Sequence, residues 1–178
     1  MPYFMPEHVE DQRQQCRMES NEEATQEDLN KILVQLIHVD FDSPSWEEQL
    51  ESIATKFDMN HRDEVTINPQ KMPDYQKKLE IFFQEHMHCD AELRVVREGS
   101  GYFDVRSVDD RWVRIPVKRG DFVYLPPGIY HRFTPDLNEH IVAIRLFRTN
   151  PKWEAHNRGE DAEQFKERHE YLNAIKSH

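Results

Sequence analysis

The hydrophobic positions of the first half of the chain recur every three or four residues in three places, which is the spacing of amphipathic helices. The first predicted helix begins after Thr25, where Asp28 stands at the spacing of a capping box. The second begins after Ser45, with Glu48 in the same relative position, and the third begins at Asp74. We therefore predict three helices before residue 86, each with an apolar face to bury.

Apolar runs without helical spacing predict short strands, beginning with Leu33–Val39 and Glu64–Asn68. Further on, Gly, Pro, Asp and Asn turn residues separate runs rich in Val, Ile, Phe and Tyr: Leu93–Arg97, Tyr102–Arg106, Trp112–Val117, Phe122–Leu125, His131–Thr134 and Ile141–Phe147. Gly99–Gly101 is expected to turn the chain between the first two of these. The even spacing predicts a mainly β fold, a small antiparallel sandwich or barrel with flanking helices.

The 178 residues fit a single domain, spanning 1–178, with two polar appendages. Residues 1–23 are acidic and glutamine-rich, and we expect them to be loose or draped over the surface. Residues 24–85 form a lead-in of helices and strands, and residues 86–147 form the barrel core. Residues 148–178 are a C-terminal extension with a weakly amphipathic final helix.

The charge of the chain narrows the range of partners. A formal net charge of −11 argues against nucleic-acid or membrane surfaces, because their phosphates would be repelled. No run approaches the roughly 18 apolar residues of a spanning helix, and no signal peptide opens the chain. Two cysteines, Cys16 and Cys89, are too few for a disulfide framework. We therefore expect an intracellular, reducing compartment, with the cytoplasm as the default.

A candidate metal site lies where the strands begin. His86 and His88 are two positions apart, so both rings leave the same face of a strand, and Glu92 keeps that phase. His131 follows a turn rich in glycine and proline. Three imidazoles and one carboxylate leave two positions of an octahedral ion open, which favours Fe(II), Ni(II) or Mn(II) over a closed tetrahedral zinc site. The alternative is that His131 is an ordinary histidine at a strand end.

Arg94 shares the phase of the candidate ligands and must therefore be paired, because an unpaired inward guanidinium is costly. Either it neutralises an acidic side chain such as Glu92, or it awaits an anionic substrate. Arg145, a cation within an apolar strand, favours the second interpretation. Phe82 and Phe133 are candidates for apolar walls of a pocket, although each would serve equally well as core.

These residues resemble a known pattern. His86-x-His88-x3-Glu92-x6-Gly99 and Gly120-x5-Pro126-x-Gly128-x2-His131 are similar to the two motifs of the cupin superfamily, which implies a cupin-type β-barrel or jelly roll. Beyond these motifs, strings within the chain resemble the acireductone dioxygenase family: Gly99–Arg106, Pro127–Thr134, Arg145–Phe147, Trp153 and Asn157–Arg158. The resemblance is dense from Leu79 to Arg158.

The sequence departs from these patterns at five positions: Glu80, Val95, Arg97, Pro127 and Pro135. Glu80 stands where cupins have glycine and Pro135 where they have asparagine, and both departures recur in one cupin branch. Positions 95 and 97 fall on the outward phase of the strand, so we expect changes of packing there and intact chemistry.

The resemblance implies roles for individual residues. It implies one Fe(2+) or Ni(2+) ion per chain, held by His86, His88, Glu92 and His131, and no organic cofactor. It places Arg94 and Arg145 on the substrate site as charge-stabilising catalytic residues, with Phe82 and Phe133 as aromatic walls. We expect a monomer, located in the cytoplasm and also, as for eukaryotic members of the family, in the nucleus.

The activity implied is oxidation of an acireductone by O2 in methionine salvage. The substrate would be 1,2-dihydroxy-5-(methylthio)pent-1-en-3-one. The iron form of the family gives formate and 4-methylthio-2-oxobutanoate, whereas the nickel form gives formate, carbon monoxide and 3-(methylthio)propanoate. The alternatives are another cupin dioxygenase or isomerase using the same metal site, and a non-enzymatic cupin binding protein that uses the acidic N-terminus or the final helix.

Overall fold

The computed structural model describes residues 1–177, which form antiparallel strands flanked by helices. In chain order the elements are β1 Tyr3–Phe4, α1 Gln26–Lys31, β2 Gln35–His38, α2 Trp46–Lys56, β3 His61–Ile67, α3 Tyr75–Phe83, β4 His86–Met87, β5 Glu92–Arg106, β6 Trp112–Lys118, β7 Asp121–Leu125, β8 His131–Pro135, β9 Ile141–Phe147, β10 His156–Asn157, α4 Glu160–Glu163 and α5 Lys166–Lys176. The predicted mainly β architecture is confirmed.

Strand β5 organises the sheet. Its first half pairs with β7 and β9, and its second half pairs with β6 and β8. The prediction that Gly99–Gly101 turns the chain is wrong, because β5 continues through these residues to Arg106. Instead, a register shift between Val96 and Glu98 bends the strand, and Gly99 follows with a φ of +75°. Glycine is needed there because a Cβ would collide with the carbonyl of His140, the residue just before β9.

Both faces of β5 are covered. One face contributes to the main core, which also holds α1 and α3 side chains such as Leu29 and Leu79. The other face packs Leu93 and Val95 beneath α2, and Val95 is 0% exposed. The side chains of β5 that point away from the barrel interior are covered by the apolar stripe of α2. Position 95 is therefore not exposed to solvent.

The helix starts show how far local patterns hold. Thr25 caps α1 as predicted: its side chain accepts from the Asp28 amide, and the Asp28 carboxylate accepts from the Thr25 amide. Ser45 does precede α2, but its side chain makes no capping bond. Its hydroxyl instead contacts Ser43 and accepts a bond from Gln49. The second predicted capping box is therefore wrong, because neighbouring polar side chains compete for the serine.

Both appendages pack against the rest of the fold, the first on the sheet and the second on the main core. Tyr3 and Phe4 pair with β6 and are buried, so the first residues are not loose. Further along this segment, the carbonyls of Gln12 and Gln14 accept bonds from buried Arg114. At the other end, the Tyr171 hydroxyl of α5 bonds to the Ile32 carbonyl. Within residues 1–177, no helix combines the length and apolar character needed to cross a membrane.

Candidate metal centre

The β ladder brings three histidines together from two parts of the chain. His86 on β4 lies directly opposite His131 on β8, and His88 follows immediately after β4. Ring nitrogens of all three lie within 4.8 Å of one another. His86 and His131 are buried, and His88 is half-buried. The sheet register thus builds a nitrogen cluster of the size that a single divalent ion requires.

Each of these rings is oriented by a backbone carbonyl. The Nδ1 atoms meet carbonyl oxygens as follows: His86 to Gln84 at 2.5 Å, His88 to Glu154 at 3.1 Å and His131 to Ile129 at 3.0 Å. A carbonyl only accepts hydrogen bonds, so each Nδ1 must carry the proton and donate. The three Nε2 atoms are then left with free lone pairs, which is the arrangement found around ligating histidines.

The electrostatic environment favours neutral imidazoles. Burial, with a further contribution from His131, lowers the pKa of His86 to about 3. Burial also lowers the pKa of His88, although Glu92 opposes this shift. Neutral imidazole is the form that binds metals, so these two rings are ready to ligate at neutral pH without first losing a proton.

A buried, unpartnered nitrogen indicates that the cluster suits a cation. Nε2 of His131 is buried and makes no aligned hydrogen bond within residues 1–177, although a Glu92 carboxylate oxygen lies only 2.9 Å away. A lone pair and an anionic oxygen at this separation repel each other unless a positive charge lies between or beside them. The donor set of three imidazoles and a carboxylate fits the divalent iron or nickel expected from the sequence.

Glu92 is held in its anionic form. Burial by itself would raise the pKa of Glu92, but the charge of the neighbouring Arg94 lowers it well below the ordinary value. Nη2 of Arg94 lies 3.2 Å from the carboxylate, and Nη1 donates to the Leu93 carbonyl at 3.0 Å. Of the two alternatives for Arg94, pairing with Glu92 is present in the structure, while a role with substrate stays a prediction.

Arg145 lies beside Arg94. The two residues are directly opposite each other on β9 and β5. Arg145 donates from Nε and Nη2 to the two carboxylate oxygens of Asp63, at 2.7 and 2.6 Å. Its guanidinium carbon lies 4.4 Å from the ring centroid of Trp153, and that of Arg94 lies 5.3 Å from the same ring. Arg145 is therefore near the candidate centre but is already paired.

Sequence inspection missed Asp63 as part of this group and noted Trp153 only as part of the family resemblance. The indole Nε1 of Trp153 is buried without a hydrogen-bond partner in the described part of the chain. Asp63 could have been recognised as an acidic residue that lies opposite Arg145. That position is known only once the register of β3 against β9 is known. The predicted strand began one residue later, at Glu64.

Phe82 and Phe133 lie near each other. Their ring centroids are 6.3 Å apart in an edge-to-face arrangement, and Phe133 lies two residues after His131 on β8. Both rings are half-buried and packed against the main core. Phe133 is thus on the same strand phase as a candidate ligand, while its role as a pocket wall remains a prediction.

The fold and the centre together define a cupin-type protein: an antiparallel β structure that brings three histidines together, with the Glu92 carboxylate in contact with His131. A family model described as the ARD/ARD' family matches residues 1–155. The chain belongs to this family, the acireductone dioxygenases, which confirms the resemblance stated from the sequence.

Curated relatives match most of the chain. An acireductone dioxygenase of Gallus gallus is 41% identical over 170 residues, covering 96% of this chain and 93% of its own. That of Danio rerio is 42% identical over 175 residues, covering 98% and 96% respectively. The name shared by these relatives describes a dioxygenase, which is a class of oxidoreductase.

A solved structure supports the fold. An acireductone dioxygenase from Bacillus anthracis with a cadmium ion in its active centre superimposes with a TM-score of 0.65. The match covers 72% of this chain and 85% of that one at 20% sequence identity. At this level of identity the likeness establishes the cupin fold of the present chain.

Proposed function

We propose that this protein is a metal-dependent acireductone dioxygenase of methionine salvage, with His86, His88, Glu92 and His131 as ligands of one Fe(2+) or Ni(2+). The observation that supports it best is the Nε2 atom of His131, which is buried, has no aligned hydrogen bond to any described residue and lies 2.9 Å from Glu92. Together with the three ring tautomers set by backbone carbonyls, it describes a ligand set prepared for a cation.

The proposed substrate is 1,2-dihydroxy-5-(methylthio)pent-1-en-3-one, whose enediol is acidic. When bound, the metal would supply Lewis acidity that stabilises the negative charge of the deprotonated enediol. The protein then has to bind and orient a small, strongly anionic molecule. Because O2 oxidises the electron-rich substrate itself, the balance needs no flavin and no external reductant.

Arg94 is the residue proposed to meet the negative charge of the substrate. It is largely buried beside Glu92, so water screens it weakly, and its contact at 3.2 Å is at the long end for a charge-assisted hydrogen bond. A second anion can therefore share the guanidinium. Arg145 is proposed to add positive charge from the neighbouring strand, because it faces Arg94 across the ladder.

Phe82 and Phe133 are proposed as walls for the methylthio end of the substrate. Their half-buried rings, 6.3 Å apart, offer apolar surface next to the strand that bears His131. The proposed products follow the metal: formate and 4-methylthio-2-oxobutanoate with iron, or formate, carbon monoxide and 3-(methylthio)propanoate with nickel. In both cases the atoms of substrate and O2 are fully accounted for.

Oxygen consumption with synthetic acireductone tests this proposal. Iron-loaded protein is expected to consume O2 above the rate of a metal-free control and to release formate. The nickel-loaded protein should release carbon monoxide as well. Uptake equal to that of the metal-free control would remove the proposed function.

Location and assembly are separate proposals. We propose a monomer in the cytoplasm, with a nuclear fraction as in eukaryotic members of the family. Imaging of the tagged protein together with light scattering of the purified chain tests both. An organellar or secreted signal, or a dimer mass at micromolar concentration, would contradict them.

A further inference from the structure

Three charged side chains form a row across three strands at the candidate centre. Asp63 on β3 lies opposite Arg145 on β9, and Arg145 lies opposite Arg94 on β5. Residues that are directly opposite in a ladder project from the same face of the sheet. The acidic residue therefore stands at one end of the row, and Arg94, which contacts Glu92, stands at the other.

The middle of this row is electrostatically unfavourable without Asp63. Like charges directly opposite each other on neighbouring strands destabilise the pair, and both arginines keep their charge at any accessible pH. The carboxylate of Asp63 engages Nε and Nη2 of Arg145 at 2.7 and 2.6 Å. These contacts offset the repulsion and leave Nη1 as the nitrogen available to another acceptor.

Asp63 and Trp153 together fix the Arg145 side chain. The carboxylate binds one edge of the guanidinium, and the indole ring covers its face at 4.4 Å. The Arg145 side chain is 25% exposed, so without these restraints its long chain could turn toward solvent. A planar group held at one edge and one face has a defined direction for its remaining donors.

We propose that Asp63 is a positioning residue for the reaction, holding Arg145 beside Arg94 so that both guanidinium groups meet the anionic substrate. This inference rests on the proposed function. Asp63 does not touch the candidate ligands, so it acts through Arg145 and contributes to binding rather than to the chemical step.

Removing the charge of Asp63 has two opposing effects. The site becomes more positive, which attracts an anion, and Arg145 loses its anchor, which weakens directed binding. The side chain of Asp63 is 41% exposed, so water and salt screen its charge and the first effect is small. The loss of orientation therefore dominates, and Asp63→Asn is expected to weaken the enzyme.

Steady-state kinetics on the iron-loaded protein test this expectation. Asp63→Asn should lower kcat/KM by about tenfold, mainly through a higher KM, because binding is lost equally in the ground state and the transition state. Asp63→Glu should recover part of the loss. The matched control is Glu64→Gln on the same strand, whose side chain faces Arg97 at 3.8 Å. Equal losses in Asp63→Asn and Glu64→Gln would overturn the proposal.

A double-variant cycle separates positioning from general stability. If Asp63 acts through Arg145, then Asp63→Asn should add no further loss to the Arg145→Gln variant. Full additivity of the two changes, or a gain in kcat/KM from Asp63→Asn alone, would overturn the proposal. Thermal midpoints of all variants show whether any loss reflects unfolding.

A measurement that needs no turnover distinguishes this inference from the proposed function. The Nε–H resonance of Arg145, identified by its absence in Arg145→Gln, should exchange slowly with water in the parent chain and quickly in Asp63→Asn. Unchanged exchange would overturn the positioning role even in an active enzyme. Accelerated exchange in a protein that consumes no O2 would support the anchor and remove the proposed function.

Discussion

Nε2 of His131 and a carboxylate oxygen of Glu92 lie 2.9 Å apart without forming an aligned hydrogen bond. Two electron-rich atoms this close, one of them buried, share a need for a positive charge. Arg94 supplies part of that charge from the far side of the carboxylate. The lone pairs of the clustered histidine nitrogens need a further positive charge. This need is the physical basis for expecting a metal ion there.

Removing a proposed ligand should remove the metal. His88→Ala and Glu92→Ala are each expected to reduce bound iron or nickel to background and to abolish turnover, because a three-donor site binds much more weakly. Metal analysis after gel filtration, alongside O2 uptake, measures both effects. His8→Ala, at an exposed histidine outside the cluster, is the control and should retain full metal. Full occupancy in both ligand variants would mean that the ligands are misassigned.

Variants of Arg94 distinguish a structural role of this residue from a catalytic one. If it meets substrate charge, Arg94→Ala should keep its metal and fold but lose roughly 2–4 kcal/mol of transition-state stabilisation, or about 30- to 1000-fold in rate. Arg94→Lys should recover only part, because a point charge cannot reproduce a forked donor. Activity, metal content and thermal midpoint are measured together on each variant.

The ion pair with Glu92 gives this experiment its second possible outcome. If Arg94 serves only to neutralise Glu92, Arg94→Ala should lose metal and thermal stability along with activity, because the carboxylate would be left buried and unpaired. Activity preserved within a factor of a few would end the catalytic interpretation.

The ion pair between Asp110 and Arg158 makes the folding stability depend on pH in the acid range. Hydrogen bonds from Arg158, at 2.9 Å to each oxygen, lower the pKa of Asp110 below its ordinary 3.8. The unfolded chain therefore binds a proton at higher pH than the folded chain does. The contribution of Asp110 to stability is complete above about pH 5 and is lost as pH falls through 3.8 and then through the lower folded value.

Thermal midpoints between pH 3 and pH 7 check this expectation. Asp110→Asn should be less stable than the parent at pH 7, by about 0.2–1 kcal/mol because the pair is largely exposed, and the difference should shrink as pH falls below 3.8. Asparagine tolerates the positive φ of 60° at this position. Asp109→Asn, at the exposed neighbouring position, should leave the profile unchanged. A deficit of the same size at every pH would contradict the linkage.

Local patterns predicted those elements whose causes are local. The Thr25 capping box and the apolar stripe of α2 depend on residues within a few positions of each other, and both appear as expected. The single strand predicted from His86 to Glu92 is wrong, because β4 ends at Met87 and β5 begins at Glu92. The failures have longer-range causes. Gly99 looks like a turn residue, but its φ serves a strand bend imposed by the β9 backbone.

The candidate site shows the same limit. The spacing of the candidate ligands His86, His88 and Glu92 is readable from the chain because it matches a known motif, although the three lie on two strands and in the segment between them. The role of Asp63 is not readable from the chain. Asp63 lies 82 residues from Arg145 in sequence, and the two are brought together only by the register of β3 against β9. A surface aspartate one residue outside a predicted strand has no local feature that marks it as part of an arginine pair.

Gly128 connects the metal centre to the final helix, and this connection yields the last prediction. Its amide donates to the His88 carbonyl at 3.0 Å, and its carbonyl accepts from Arg168 of α5 at 3.0 Å. At a φ of +85°, a Cβ would lie 2.5 Å from the Glu167 carbonyl oxygen. Gly128→Ala should therefore cost about 1–3 kcal/mol and displace α5 or His88.

Chemical denaturation and metal retention during dialysis measure the two consequences of Gly128→Ala. The midpoint should fall, and metal should be lost faster than from the parent, because the same turn holds the His88 carbonyl. Gly159→Ala is the matched control: its backbone is extended, and the nearest atom to an added Cβ lies 3.9 Å away. Equal behaviour of the two variants would show that close packing of α5 on the turn at Gly128 contributes nothing to the site. A selective loss in Gly128→Ala would show that the C-terminal extension supports the ligand strand from outside the barrel.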